Sequence, residues 1–327
     1  MIHINAINHS QDEKLLKNDR IFNPTVLQIG GSNPSDIAKA VEKSNVHNYC
    51  EVNLNVGCPS PKVQSGNFGA VLMKNKDLVK KCIIAIKNST DKYVSVKIRL
   101  GVDNFDIEND LNDFVETMIE SKIDIFYVHA RIALLKGLNP KLNRSVPPLN
   151  YERVNKLKED YPEQQIVING GIASLLEAKK KFSNLDGIMV GREIYNNPLI
   201  VSSVDSIFFK KENNFQDIEN VIIKMFNYLD TLKDHKDLHQ SLIHMQTLFK
   251  DFSGARKARE LLSTERNLKI LENEILKILK ENTNLAAWKI YSQKFSKRIM
   301  KKKSMKTMNQ IPSPKSGIVK RILIDDA

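Results

Sequence analysis

Cysteine is scarce: Cys50, Cys58 and Cys82 are the only three in 327 residues. Three thiols cannot build a disulfide framework, and no C-x-x-C or Cys/His spacing is present, so neither a stapled secreted scaffold nor a zinc or other metal centre is expected. That usage fits a reducing compartment. Long apolar runs are missing too. None approaches the roughly 20 residues that cross a bilayer, so no membrane partner is expected. The opening stretch, MIHINAINHSQDEK, holds neither the apolar core of a secretory signal nor the arginines of a transit peptide. A monomer in the cytoplasm is the default expectation, with an organelle left open if the true N-terminus lies elsewhere.

What is present in excess is positive charge. The formal net charge is +12. A basic surface suits an anionic partner, of which nucleic acid is the commonest, although a general lysine bias would give the same number. The hydrophobic content of 41% is ordinary for a globular chain, and the length admits one large α/β domain with a smaller companion.

Residues 51–73, EVNLNVGCPSPKVQSGNFGAVLM, organise the rest. Val52, Leu54 and Val56 alternate with Glu51, Asn53 and Asn55, which predicts a strand. Gly57 and Pro59 then break it into a tight turn that presents Cys58. A lone cysteine is more often an inert packing group than a reactive one. Its surroundings change that reading. Strands are expected at Thr25–Ile29, Tyr93–Arg99, Ile123–Val128, Gln165–Ile168 and Gly187–Val190, with helical stripes between them, such as Leu78, Val79, Cys82, Ile83 and Ile86. Residues 5–22 are polar and read as a surface loop.

Six strands alternating with helices predict a parallel sheet, and their regular repetition favours a TIM-type (β/α) barrel over residues 1–200. From 201 to 290 strand signals vanish, and apolar residues such as Ile218, Ile222, Met225 and Leu229 keep helical spacing, which predicts an all-α domain. Lys294, Lys297, Arg298 and Lys301 to Lys303 crowd the segment 291–327, expected to be a poorly ordered basic tail, either solvated or gripping nucleic acid.

In such barrels function gathers at the carboxyl ends of the strands. Here those ends carry Gln28, Asn55 with Cys58, Lys97 with Arg99, His129 with Arg131, Asn169 to Gly171, and Gly191 with Arg192. So many donors buried without an anionic partner would be costly. Gly170, Gly171 and Gly191 allow backbone N–H groups to approach an anion, and Arg192 adds a permanently charged fork, so a phosphorylated cofactor is the expected occupant. Lys97 could stabilise negative charge on an electron-rich ring.

LQIGGSNP, EVNLNVGCPSPKVQSGNFGAVLM, SVKIRLG, the long VHARIALLKGLNPKLNRSVPPLNYERV loop, INGGI and DGIMVGREIYNNP resemble the tRNA dihydrouridine synthases, in particular the group acting on D-loop positions 20 and 20a. GARKAREL at 254–261 is similar to the end of that family's helical domain. The resemblance implies an FMN-binding barrel followed by a helical tRNA-binding domain, and reduction of a uridine 5,6 double bond with NADPH as reductant. It implies Cys58 as the proton donor to C5, and Gln28, Lys97, His129, Asn169, Gly170, Gly171, Gly191 and Arg192 as the FMN holders. Asn55, Arg99 and Arg131 would lie near the flavin and the uridine, and Lys136, Lys141 and Arg144 would face tRNA. The family also opens with an earlier strand and an APM-type turn, and Met1 aligns near the end of its second strand. About two strands of the eight are therefore expected to be absent. An incomplete version of a longer chain is the preferred reading over closure of the barrel by another segment or an unstable, inactive product. Two other functions remain: an FMN-barrel oxidoreductase of a small dihydropyrimidine, and a non-catalytic RNA-binding fragment.

Overall fold

The computed structural model describes residues 1–10, 15–17, 24–210, 218–249, 254–282 and 321–324. Two compact units divide the chain: Met1–Gly191 together with Gly317–Ala327, and Arg192–Ser316. The first unit is built on a parallel sheet whose strands follow chain order: β1 (Ile2–His3), β2 (Val26–Gly30), β3 (Glu51–Asn55), β4 (Tyr93–Arg99), β5 (Ile125–His129), β6 (Gln165–Asn169), β7 (Gly187–Val190) and β8 (Arg321–Ile324). The first unit is thus the α/β architecture the sequence predicts, and the second is helical.

The strands form because one face is continuously apolar. Val52 and Leu54, Val94, Val96 and Ile98, Phe126 and Val128, Ile166 and Ile168 are fully buried. Between these strands, helices Pro34–Ser44, Lys76–Ser89 and Asn109–Glu120 bury Ile37, Val41, Val79, Ile83, Phe114 and Met118. Their starts are fixed by polar caps. Asn33 accepts from Asp36 N–H ahead of Pro34, and Asn75 accepts from Leu78 N–H. Asn150 and Ser174 do the same for helices Tyr151–Asp160 and Leu175–Lys181. Short strands followed by capped helices leave the carboxyl strand ends on one side of the sheet, which is what collects the site.

Three features differ from the sequence reading. Within the predicted surface loop, Ile4–His9 is a short helix that buries Ile4 and Ile7. An apolar pair three residues apart lets it seat on helix Pro34–Ser44 despite its asparagines. Asn8 Nδ2 donates to Asp36 O at 2.9 Å and Lys43 Nζ to Asn8 O at 2.6 Å. Secondly, the boundary between units falls at Gly191/Arg192, ahead of residue 200. Thirdly, Arg321–Ile324, which the sequence reading assigns to a poorly ordered tail, is a strand. It pairs with β7 in parallel, from Gly187↔Arg321 to Val190↔Ile324. β1 is two residues long, and the eighth strand of the order comes from residues that follow the helical unit in sequence. RILI is a short β-prone run, and the β7 edge offers it unpaired ladder groups. The basic cluster Lys294–Lys303 lies outside the described residues.

In the second unit, helices Ile218–Leu229, His235–Met245, Ala255–Thr264 and Leu268–Asn282 enclose Ile222, Phe226, Leu242, Phe249, Leu262, Leu271 and Ile275.

Candidate active site

Strand pairing brings the predicted strand-end residues into lines. Asn55 is in register with Lys97, and Lys97 with Tyr127. Arg99 is in register with His129, and His129 with Asn169. Because side chains alternate along a strand, residues 51, 53 and 55 share a face with 95, 97 and 99 and with 125, 127 and 129. That face is unusually polar for a barrel interior, which is normally filled by branched apolar residues. Among the described residues, Ile125, Tyr127, Val167 and Met189 form an apolar cluster on it. Glu51, Asn53, Asn55, Ser95, Arg99, His129 and Asn169 are all buried.

The thiol loop is anchored by backbone hydrogen bonds rather than by packing alone. Asn55 Oδ1 accepts from Gly57 N–H at 3.2 Å and from Cys58 N–H at 3.0 Å. Cys58 O accepts from Ala70 N–H at 2.9 Å. The next turn must come close to make that bond. Gly69 has φ +75°, and a Cβ there would lie 2.6 Å from Cys58 O. Only glycine meets both demands. Cys58 itself is half-buried, whereas Cys82 is fully buried on the inner face of helix Lys76–Ser89. Burial pushes the Cys82 thiol up to about 12, a packing group as the sequence predicts.

Arg99 lies on the thiol side of the loop network. Its Nε donates to Gly57 O at 3.2 Å, and its NH1 donates to Asn143 O at 3.0 Å. It therefore ties the Cys58 turn to the long loop after β5. Gln64 makes a second tie, donating from Nε2 to Pro59 O at 2.8 Å and to Leu135 O at 3.0 Å. Arg131 turns back into its own loop and donates to Pro147 O. Asn143, fully buried, holds that loop through Leu134 N–H, Leu134 O and Leu138 O. Asp103 braces the same loop from outside. It accepts from Leu135 N–H at 2.9 Å and pairs with Lys74 Nζ at 2.6 Å. Burial pushes the Asp103 carboxyl up, but the bonds from Lys74 and Leu135 outweigh it and hold it below the usual carboxylate value. Lys136 and Lys141 stand exposed on the loop and Arg144 is half-buried.

At the ends of β6 and β7 the predicted glycine turns are present. Gly170 and Gly171 have φ of +112° and +66°. Asn169 Nδ2 donates to Met189 O at 3.0 Å, and Tyr151 OH donates to Gly170 O at 2.7 Å. Gly191 closes the first unit, and Arg192 opens helix Arg192–Asn196 as the first residue of the second. The structure thus brings Gln28, Asn55, Cys58, Lys97, Arg99, His129 and Asn169 to one end of one sheet. Sequence reasoning missed Asn53, Ser95, Tyr127, Gln64 and Asn143. In sequence the first two show only as polar residues on alternate strand positions, a pattern that a solvent-facing strand shares.

A sequence profile of the Dihydrouridine synthase (Dus) family matches residues 1–284. The chain belongs to the dihydrouridine synthase family. Among individual relatives, the tRNA-dihydrouridine(20/20a) synthase of Vibrio parahaemolyticus is 40% identical over 288 residues, covering 86% of this chain and 88% of that protein. Those of Shewanella oneidensis and Yersinia pestis are each 42% identical, over 264 and 265 residues. They cover 80% of this chain and 78% and 76% of their own lengths. As a dihydrouridine synthase family member, the chain keeps its thiol turn, its glycine turns and its long loop after β5 within the matched span, whereas β8 lies beyond it.

Proposed function

We propose that this protein reduces a uridine of the tRNA D-loop to 5,6-dihydrouridine, with FMN bound at the strand ends and NADPH as the reductant. The reading is carried by one observation: a half-buried thiol, pinned through its backbone, at the polar end of a parallel sheet in a chain of this family. Support for a flavin comes from the chemistry of the donor set. Gly170 and Gly171 adopt positive φ at the end of β6, a backbone glycine favours and one that phosphate-cradling turns use. Gln28, Lys97, His129, Asn169, Gly170, Gly171, Gly191 and Arg192 would hold the cofactor. When bound, the flavin supplies the hydride that adds to C6 of the pyrimidine.

Cys58 supplies the proton. Addition at C6 breaks the double bond and leaves enolate-like charge at C5 and the adjoining carbonyl, which needs a placed acid. The Cys58 S–H bond breaks, the proton goes to C5, and water reprotonates the thiolate. Asn55, Arg99 and Arg131 serve this step as neighbours, and Arg99 and Asn55 hold the Cys58 turn in place. Lys136, Lys141 and Arg144 would meet tRNA phosphates, while the uridine itself must leave its stack to reach the thiol.

The test is incubation of the purified protein with FMN, NADPH and unmodified tRNA, followed by mass analysis of the nucleosides. With the parent protein, each modified uridine gains two hydrogen atoms, and the protein carries flavin absorption. Cys58→Ala keeps the flavin bands and forms no product. Equal product from both proteins removes Cys58 from the proton step. A parent that binds no flavin turns the reading toward a non-catalytic RNA-binding chain. Oxidation of the reduced flavin by a free pyrimidine but not by unmodified tRNA would select a small-molecule oxidoreductase.

A further inference from the structure

A continuous chain of side-chain hydrogen bonds runs across the interior face of the sheet from Glu51 to the Cys58 turn. Glu51 Oε1 accepts from the Ser95 hydroxyl. Ser95 Oγ in turn accepts from Asn53 Nδ2 at 2.7 Å. Asn53 Oδ1 accepts from Gln28 Nε2 at 2.9 Å, and Gln28 Oε1 accepts from Asn55 Nδ2 at 3.0 Å. Asn55 Oδ1 closes the chain on the backbone N–H groups of Gly57 and Cys58. Glu51 and Asn53 are each 2% exposed and Ser95 is 0% exposed, so water does not substitute along the first half of the path.

The ends of this chain determine its direction. A backbone N–H can only donate, and Glu51 Oε1 stands as the acceptor at the other end. Between them lie three amides and one hydroxyl, each able to turn either way when isolated. With a donor fixed at one end and an acceptor fixed at the other, one self-consistent orientation remains: every oxygen faces the thiol side and every hydrogen faces Glu51. Reversal would set the Asn55 NH2 against the Cys58 N–H. We infer that Glu51, at the opposite end of β3 from the thiol, is a positioning residue for the Cys58 turn, acting through Ser95, Asn53, Gln28 and Asn55. The relay's bearing on uridine reduction rests on the function proposed above; its bearing on the geometry of the turn does not.

Glu51 offers its own control. Its second oxygen accepts from Tyr127 OH at 3.2 Å, a bond in the same buried cluster that lies off the path to Cys58. Three variants therefore separate relay from support. Ser95→Ala cuts the path, Glu51→Met removes its acceptor, and Tyr127→Phe removes a neighbouring bond that leads elsewhere. Glu51→Gln is the conservative rescue, because its amide oxygen can still accept from Ser95 while its NH2 turns to Tyr127.

The experiment measures hydrogen exchange at the Gly57 and Cys58 amides, together with the rate of Cys58 alkylation by iodoacetamide, in flavin-free and flavin-loaded protein. Loss of one directional bond should raise exchange at these amides by about tenfold in Ser95→Ala and Glu51→Met. Tyr127→Phe and Glu51→Gln should stay within about twofold of the parent. In the turnover assay the first two variants lower kcat and leave KM for tRNA unchanged. The inference is overturned if Ser95→Ala leaves exchange at Cys58 unmoved, or if Tyr127→Phe, at matched thermal stability, raises it as much as Ser95→Ala does. If Glu51→Met fails to fold, Ser95→Ala and Tyr127→Phe decide the matter alone. A parent without uridine reduction would refute the proposed function and leave the exchange result standing.

Discussion

A Cβ placed on Gly170 would lie 2.5 Å from His129 Cδ2. The imidazole packs directly over the backbone at the end of β6, and the glycine makes room for it while holding φ at +112°. Gly171 is different. Its φ of +66° is a conformation other residues can reach at modest cost, and its Cβ would meet the far end of Leu149. Gly170→Ala is therefore expected to be the more damaging change, lowering stability by about 1–3 kcal/mol through backbone strain and displacing His129. Gly171→Ala should cost less. Thermal melts of the two variants check the order, and equal losses would mean that the His129 contact is not what constrains this turn.

The two cysteines named above should behave as opposites toward an alkylating reagent. Cys58 is half-buried, while the fully buried Cys82 thiol is held up to about 12 by its apolar surroundings. Only thiolate reacts, so at neutral pH iodoacetamide should label Cys58 in the native protein and spare Cys82 until the chain unfolds. Peptide mass mapping reads both sites at once. Labelling of Cys82 in native protein would show that its helix opens readily.

Asp103 gives the long loop after β5 a pH dependence of known sign. Its folded carboxyl titrates below its ordinary value, because Lys74 and Leu135 favour the charged form over the cost of burial. A depressed carboxylate contributes stability above its unfolded pKa and loses it as pH falls through the folded one. The melting-temperature gap between the parent and Asp103→Asn should be full at about pH 6 and should close as pH falls below about 4. A gap that widens in acid would reverse the assignment. The group is partly exposed, so the effect is small.

Binding of tRNA should weaken steeply with salt, because phosphate contacts release counterions. Lys136 and Lys141 are exposed on one loop and free to meet such phosphates in the proposed function. Replacing either with Ala should reduce the slope of log affinity against log salt by about one, uniformly across tRNA sequences. Filter binding at several salt concentrations measures it. An unchanged slope would place the phosphate contacts elsewhere on the chain.

Much of this molecule was legible in its sequence because the parallel strands are short, apolar on one face and closed by glycine or proline. Cys58, Asn55, Lys97, His129 and the paired glycines could be placed from those punctuation marks alone. The interior polar network could not. Asn53 and Ser95 look like ordinary solvent-facing alternations until the register of neighbouring strands sets Asn53 beside Ser95. Register is a long-range property, fixed by packing and not by any one strand. The same limit hid Gln64, whose importance lies in reaching Leu135 across 71 residues of chain. The helix Ile4–His9 was missed for the opposite reason. Its asparagines argue for a loop, and only its seat against helix Pro34–Ser44 overrides them.

β8 has a consequence for how the protein comes into being. Its partner β7 ends at Val190, yet Arg321–Ile324 leaves the ribosome only after the entire helical unit, Arg192–Ser316, has been made. During synthesis the nascent sheet must wait with the β7 edge uncovered while more than a hundred residues emerge. The helical unit, rich in local contacts, can fold during that interval. The final seam of the sheet is then the last contact that synthesis allows to form.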